Sequence, residues 1–204
     1  MSTEHFDVLI IGAGLSGIGA ARHLQMRCPD RTFAILEGRD SIGGTWDLFR
    51  YPGVRSDSDM YTLGYSFEPW IGDKAIADGP SILDYVNRVA DKYDLRRHVR
   101  FGHQVVRAQF DSAAARWTVT ARAGEAEVTM TADWLHLCAG YYRYDEAHLP
   151  DFAGLAAYQG RFFHAQFWPE DLDYAGKAAV VIGSGATAVT IVPEMRSEER
   201  RVGK

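Results

Sequence analysis

Apolar residues fall along the chain in short branched runs and in two stripes of helical period, and their order predicts an alternating α/β fold. Residues 6–11 form a nearly continuous apolar run, the pattern of a parallel strand covered on both faces. A helical pattern over residues 18–26, a Pro29-Asp30 turn and a second strand over residues 32–36 follow. Residues 81–93, opened by Pro80, place Ile82, Val86, Val89 and Tyr93 on one face and predict an amphipathic helix laid against a sheet. Residues 99–106 read as a strand. Three short segments, 107–110, 116–120 and 127–131, are separated by polar and glycine turns and predict an antiparallel meander acting as a crossover. Residues 135–139 read as a returning buried strand, and residues 178–182 as a further strand.

Composition narrows the class. With 204 residues, 47% of them hydrophobic, the chain can bury one or two cores. A net charge of −5 with scattered basic residues gives no footprint for nucleic acid, so none is expected as a partner. Cys28 and Cys138 are too few for a disulfide framework or a metal site, and His98, His103 and His136 have no ligand spacing. No metal is expected, the cysteines fit a reducing compartment, and Cys138 reads as a buried, inert thiol. The N-terminus lacks a basic leader, and its apolar run is too short to span a bilayer. A cytoplasmic location without a transmembrane segment follows as an expectation, peripheral membrane association being left open.

The chemistry lies in the loops. The first strand runs into Gly12-Ala13-Gly14-Leu15-Ser16-Gly17, then a helix, a strand and Glu37, which is 20 residues past the last glycine. Strand, helix, strand and acid in register make this a dinucleotide fingerprint. Gly12 allows the tight turn, Gly14 the approach of a pyrophosphate, and Gly17 close helix packing. Glu37 would accept from ribose hydroxyls, and the helix N-terminus would face the anion. A second loop of the same kind, Gly183-Ser184-Gly185-Ala186-Thr187-Ala188, follows the predicted strand at 178–182. Two loops imply two dinucleotides.

Between them stand two further signatures. Gly43-Gly44-Thr45-Trp46 is followed by Arg50-Tyr51-Pro52-Gly53 and Arg55-Ser56-Asp57; Tyr158-Gln159-Gly160 leads on to His164 and Trp168-Pro169. Glycines at 43 and 44 let the backbone pass close to a flat ligand, and Trp46 offers an apolar plate. The spacing of Gly160, His164, Trp168 and Pro169 resembles the fingerprint of flavin-dependent Baeyer-Villiger monooxygenases, with Tyr158 where that family has Phe. Residues 44–64 are similar to the ethionamide-activating group of the flavin-containing monooxygenase superfamily, and the resemblance runs over about residues 5–195.

What the resemblance implies is an incomplete two-dinucleotide-binding-domain flavoprotein fold, Rossmann-like, with an antiparallel β-meander crossover. It further implies an enzyme that takes hydride from NADPH and uses FAD and O2 to insert one oxygen atom into a ketone or to oxygenate a sulfide or thioamide. It assigns FAD contacts to Gly12, Gly14, Ser16, Gly17, Glu37, Thr45, Trp46, Asp47, Leu48, Asp57 and Val105. NADP contacts fall to Arg55, Ser56, Asp57, Ser184, Gly185, Ala186, Thr187, Ala188, Val189 and Thr190. Asp57 is expected to orient an active-site cation, and His164 to link domains through hydrogen bonds. The preference for NADPH over NADH rests on the resemblance alone. Residues 1–145 are expected to form part of an FAD domain, 146–175 a linker with the fingerprint, 176–195 the start of an NADP domain, and 196–204 a non-native tail. Alternatives are a monooxygenase restricted to nitrogen and sulfur, against which Trp168-Pro169 speaks, and a non-catalytic nucleotide-binding fragment.

Overall fold

Branched residues at 8–11 extend into β1 (Glu4–Ile11), followed by α1 (Leu15–Arg27) and β2 (Phe33–Leu36). Two single-turn helices, α2 (Thr45–Leu48) and α3 (Met60–Leu63), precede the long helix α4 (Gly79–Lys92). Then come β3 (Val99–Arg100), β4 (His103–Asp111), β5 (Arg116–Ala123), β6 (Ala126–Leu137) and, after a long irregular stretch, α5 (Ala186–Val202). This computed structural model describes residues 3–202, with side chains described to residue 196. The chain divides into one unit of Met1–Asp47 with Ile82–Tyr141 and another of Leu48–Ser81 with Tyr142–Lys204.

The first unit is built on a six-stranded sheet of order β3-β2-β1-β6-β5-β4. β1 pairs in parallel with β2 and β6, β2 with β3, and the β4-β5-β6 meander is antiparallel. The strand β6 serves both halves: it pairs with β5 over Ala126–Ala132 and with β1 over Met130–Leu137. Leu9 and Ile11 join Leu36, Val119, Ala121 and Met130 in one apolar cluster, while Ile10 and Ile35 are fully buried on the opposite face. Burial on both faces is why β1 and β2 read as continuous apolar runs rather than alternating ones. α1 packs on β1 and β2 through its buried Gly17, Ile18 and Ala21. In α4 three members of the predicted stripe hold, Ile82, Val86 and Val89 being fully buried, whereas the helix ends at Lys92 and leaves Tyr93 half-buried in the turn beyond it. The helix begins two residues before the expected start, because Asp78 Oδ1 accepts from the Ser81 amide at 2.9 Å and its hydroxyl at 2.7 Å, leaving Pro80 in the first turn. Those bonds also hold the Asp78 carboxyl below its ordinary range.

Four expectations about strands are corrected. The strand over 99–106 is two strands, because Gly102 at φ +65° turns the chain between β3 and β4. The segments at 103–106 and 107–110 are instead one strand, with an irregularity between Val105 and Arg107 that adds a residue and bends the edge. Residues 135–139 are the tail of β6 and not a buried strand: Trp134 and Leu137 are 63% and 73% exposed. The run continues the apolar pattern, but within it only Leu135 and Cys138 are half-buried, Leu135 against the sheet's apolar cluster. Residues 178–182 form no strand at all, and Val180 is 86% exposed. A β-strand exists only through a neighbour's hydrogen bonds, and among the described residues this segment has none.

Candidate dinucleotide sites

In the first unit the glycine loop closes against the end of β6. The Gly12 amide donates to the Leu36 carbonyl at 2.8 Å, and the Cys138 amide to the Ile11 carbonyl at 2.8 Å. Gly12 sits at φ +102°, and a Cβ there would lie 2.5 Å from the Cys138 carbonyl oxygen; one on Gly17 would lie 1.9 Å from the Gly12 carbonyl oxygen. Backbone packing alone therefore requires glycine at both positions. Gly14 is different. Its φ is −75°, and the nearest atom to an added Cβ is the Gly44 Cα at 3.6 Å. Nothing within the fold demands glycine there, since a Cβ would make only an ordinary contact with the Gly44 backbone. Gly14 is also the N-cap of α1, where no side chain caps the helix and Ser16 is exposed on the first turn. The first-turn amides there have no side-chain acceptor, the arrangement that suits a helix start to an anion.

Glu37 is only 6% exposed, and its two carboxylate oxygens accept from the Ala13 amide at 2.8 Å and the Arg39 amide at 2.9 Å. The acid thus ties its own loop to the glycine loop, and each oxygen keeps further lone-pair capacity for a ribose hydroxyl. The chain at 103–105 lies alongside: His103 N donates to the Glu37 carbonyl at 2.8 Å, and a Cβ on Gly38 would contact the Gln104 Cα at 3.5 Å. Val105, expected near the cofactor, is half-buried against the sheet's apolar cluster.

The Gly43-Gly44 turn is fixed to the same loop, the Gly43 amide donating to the Ala13 carbonyl at 3.1 Å. Gly43 has φ +130°, and a Cβ there would meet the Leu83 side chain. The Asp47 carboxylate, expected to touch the cofactor, holds Arg39 Nη2 at 2.7 Å and the Ser41 hydroxyl, while Arg39 Nη1 donates to the Gly44 carbonyl at 3.4 Å. Arg39 and Ser41 are thus parts of the site that the motifs did not single out. The available signal was position: Arg39 stands two residues after the acid. Thr45 and Trp46 are half-buried on α2. Burial pushes the half-buried Cys138 thiol up, which keeps it a poor nucleophile.

The second unit carries the remaining signatures. Phe49, Tyr51 and Ile191 form an apolar cluster against which Leu48, Val54, Ala165, Trp168 and Met195 pack. Ser56 is buried and bonded to Ala77 in both directions: its amide donates to the Ala77 carbonyl at 2.9 Å, and its hydroxyl accepts from the Ala77 amide at 3.1 Å. Arg55 and Asp57 on either side are exposed. In the fingerprint, His164 Nδ1 accepts from the Gln166 amide at 3.1 Å and caps a short 3-10 turn, so the neutral ring carries its proton on Nε2. Buried Gln166, which the motifs did not flag, donates to the Arg143 carbonyl at 2.6 Å. Trp168 meets Phe163 edge to face with centroids 5.3 Å apart, and a Cβ on Gly160 would strike the Tyr158 phenol. The signature thus folds as a histidine-capped aromatic loop.

The second glycine loop leads into α5. Gly183 sits at φ +143°, whereas no atom lies within 4 Å of a Cβ added to Gly185. Ser184, Gly185 and Ala186 are exposed, Thr187 and Ala188 half-buried, and Val189 exposed. Thr190 is 5% exposed and turns inward, its methyl lying near Gly53. As in the first loop, one glycine is set by its backbone, Gly183, and one, Gly185, answers no need within the chain.

A sheet with a parallel half, a glycine loop opening a helix, an acid at the end of the second strand and a second glycine loop define a Rossmann-type dinucleotide-binding flavoprotein fold. Sequence comparison agrees: residues 10–70 match the NAD(P)-binding Rossmann-like domain, and residues 74–202 match the flavin-binding monooxygenase-like family. The chain belongs to the flavin-binding monooxygenase-like family. It is 58% identical over 193 residues to the FAD-containing monooxygenase EthA of Mycobacterium tuberculosis, covering 95% of this chain and 40% of that protein. To the probable FAD-binding monooxygenase AlmA of Acinetobacter baylyi it is 51% identical, covering 94% and 39%. Among solved structures, a steroid monooxygenase bound to NADP superposes with a TM-score of 0.81 at 33% identity, and a Rhodococcus cyclohexanone monooxygenase mutant bound to NADP+ with 0.83 at 32%. Each comparison covers 96% of this chain and 37% of the other. The chain spans about two fifths of the length of the curated relatives it matches. The resemblance read from the motifs therefore stands at the level of the family. Among the described residues no helix is long and apolar enough to cross a membrane.

Proposed function

We propose that the chain forms the FAD-binding and nicotinamide-dinucleotide-binding portion of a flavin-dependent monooxygenase that uses NADPH and O2. Its substrates in this reading are small ketones, converted to esters or lactones, and sulfides or thioamides. The observation that carries the proposal is the glycine loop around Gly14, where a Cβ would touch only the Gly44 backbone at 3.6 Å, beside an uncapped helix N-terminus and the buried Glu37. A pyrophosphate would take the α1 amides, and Glu37 the ribose. FAD supplies the redox chemistry that activates O2. Arg39, Ser41 and Asp47 hold the Gly43-Gly44 turn in place for it.

For the second dinucleotide, exposed Ser184 to Ala186 offer their amides and the Ser184 hydroxyl, with Arg55 and Asp57 as exposed charges in the same unit. Asp57 in this reading orients a cation at the reacting centre, and His164 contributes a fixed hydrogen-bond donor at Nε2 rather than a base. Expected small-molecule partners are the ketone or sulfur substrate and O2. Support comes from the 58% identity to an FAD-containing monooxygenase and from structural neighbours described as NADP-bound and cyclohexanone-bound.

The test is to add FAD to purified protein, follow the visible flavin band and flavin fluorescence, and then measure NADPH oxidation with a cyclic ketone or an aryl sulfide while analysing products by mass spectrometry. Bound flavin with lactone or sulfoxide supports the proposal. Colourless protein after FAD addition rejects it. The unpaired segment at 178–182 favours a second reading, dinucleotide binding without turnover, for which flavin binding with NADPH consumption but no oxygenated product is the signature.

A further inference from the structure

Gly43 and Gly44 stand at φ +130° and +56°, two successive residues of the type with the most conformational freedom to lose. The two ends of their turn are held differently. The Gly43 amide donates to the Ala13 carbonyl at 3.1 Å, a bond between backbones. At the other end the Gly44 carbonyl accepts from the Asp47 amide at 3.1 Å and from Arg39 Nη1 at 3.4 Å. Arg39 Nη2 meets Asp47 Oδ2 at 2.7 Å, and the Ser41 hydroxyl donates to that same oxygen. One planar guanidinium therefore spans a backbone carbonyl and a carboxylate. Arg39 is itself anchored through its main chain: its amide donates to Glu37 Oε1 at 2.9 Å, and its carbonyl accepts from the Gly102 amide at 3.1 Å. The Arg39 and Asp47 side chains are 29% and 12% exposed, so salt screens this pair less than one in open water.

We propose that Arg39 is a positioning residue for the flavin end of the first dinucleotide: its fork ties the Gly43-Gly44 turn to the segment that carries Glu37, and Asp47 acts through that lock, its side chain serving Arg39 and not the cofactor. The inference rests on the reading of Gly12 to Gly17 as the FAD loop, and it reassigns Asp47 from a cofactor contact to a partner of Arg39. Order that a ligand must impose on a site is lost from its affinity. A glycine pair has much order to impose, and the Arg39 fork supplies it before the ligand arrives. Asp47 Oδ2 already accepts from two donors, which is why its side chain is assigned to the turn. The lock lies away from the α1 amides and the Glu37 carboxylate, which in this reading take the pyrophosphate and the ribose. Loss of Arg39 should therefore be felt by whole FAD and not by its ADP half.

The test compares wild type with Arg39→Met, Asp47→Asn and the double variant. FAD affinity is measured by flavin fluorescence, ADP affinity for the same site by its competition with FAD, and folding by the urea midpoint. Arg39→Met is expected to raise the dissociation constant for FAD about tenfold, the scale of one charge-assisted hydrogen bond, and to leave that for ADP within about twofold of wild type. The double variant should be no weaker than Arg39→Met alone, since both changes break one lock. Arg39→Lys, which keeps the charge but not the fork, should recover part of the FAD affinity. A pair that only stabilised the fold would lower the urea midpoint without separating the two ligands. Wild-type FAD affinity in Arg39→Met, an equal loss for ADP, or additive losses in the double variant overturns the positioning role while leaving the first site intact. Wild-type protein that binds no FAD overturns the first-site reading and this role with it. Should Arg39→Met fail to fold, Arg39→Lys and Ser41→Ala carry the same comparison of FAD with ADP.

Discussion

Gly14 and Gly17 stand three residues apart in one loop, and the structure assigns them opposite reasons for being glycine. A methyl group on Gly17 would lie 1.9 Å from the Gly12 carbonyl oxygen. Ordinary contacts stand at roughly 3.5 Å, so the first turn of α1 or the loop must shift by about 1.5 Å. Overpacking of this kind costs about 1–3 kcal/mol, a large share of a stability of about 5–15 kcal/mol. For Gly14→Ala the nearest atom is 3.6 Å away and φ is −75°, which alanine adopts freely. Lower entropy of the unfolded chain contributes about 0.4–1 kcal/mol, and the poorer N-cap costs about 1 kcal/mol. The net change is within about 1 kcal/mol of zero. If the pyrophosphate approaches the main chain at Gly14, as the proposed function has it, the methyl group between it and Gly44 should lower FAD affinity about 5- to 150-fold, the same overpacking scale expressed as binding. Urea titration by circular dichroism measures stability without ligand, and flavin fluorescence measures affinity. The expected pattern is a destabilised Gly17→Ala and a Gly14→Ala that folds normally and binds FAD poorly. Equal destabilisation of the two, or wild-type FAD affinity in Gly14→Ala, would refute the reasoning.

Glu37→Gln should lower the urea midpoint by an amount equivalent to about 1–3 kcal/mol, since the amide cannot accept from both the Ala13 and Arg39 amides, and should weaken FAD binding in the same preparation. His164→Ala should speed exchange of the Gln166 amide and cost about 1 kcal/mol, whereas His164→Asn, which keeps a capping acceptor, should restore most of the protection. Asp7 is held well below the ordinary value of 3.8 by bonds from the Thr32 hydroxyl, the Arg31 guanidinium and the Thr32 amide. A depressed folded value means that the stability it contributes is present above the unfolded value and is lost as pH falls from about 4 towards the folded one. Asp7→Asn should therefore reduce stability at neutral pH and flatten the acid limb of a urea-midpoint-versus-pH curve; an unchanged limb would exclude Asp7 as its source.

Legibility followed how local each determinant was. β1, α1 and Glu37 could be read because one segment of some thirty residues contains their whole logic: a strand buried on both faces, a turn that only glycine can make, and a helix start. α4 was readable from its stripe. The meander was visible as turns, but the join of residues 103–111 into one strand depends on pairing with β5, which no local pattern encodes. Residues 178–182 show the converse, since Ala-Ala-Val-Val-Ile has strand character and a strand needs a neighbour that the segment itself cannot specify. In the sites, glycines at ligand-facing positions and glycines at packing positions look alike in sequence. Only the contacts of an added Cβ separate Gly14 and Gly185 from Gly12 and Gly17. Arg39 and Ser41 were missed because their roles are relations between side chains: Arg39 matters through Asp47 and Gly44, and Ser41 through Asp47.

The two-sided pairing of β6 also sets an order of events in folding. Its antiparallel contacts with β5 are local and close through the two-residue turn at Gly124 and Glu125, whereas its parallel contacts with β1 join residues as far apart as His5 and Thr131, 126 positions away in the chain. Local hairpins close in microseconds, and long-range parallel pairs pay their loop entropy first. The meander is therefore expected to form early and to present β6 as a ready edge on which β1 docks last. During synthesis β1 emerges first, so its Val-Leu-Ile-Ile run waits without that partner until residue 137 has been added.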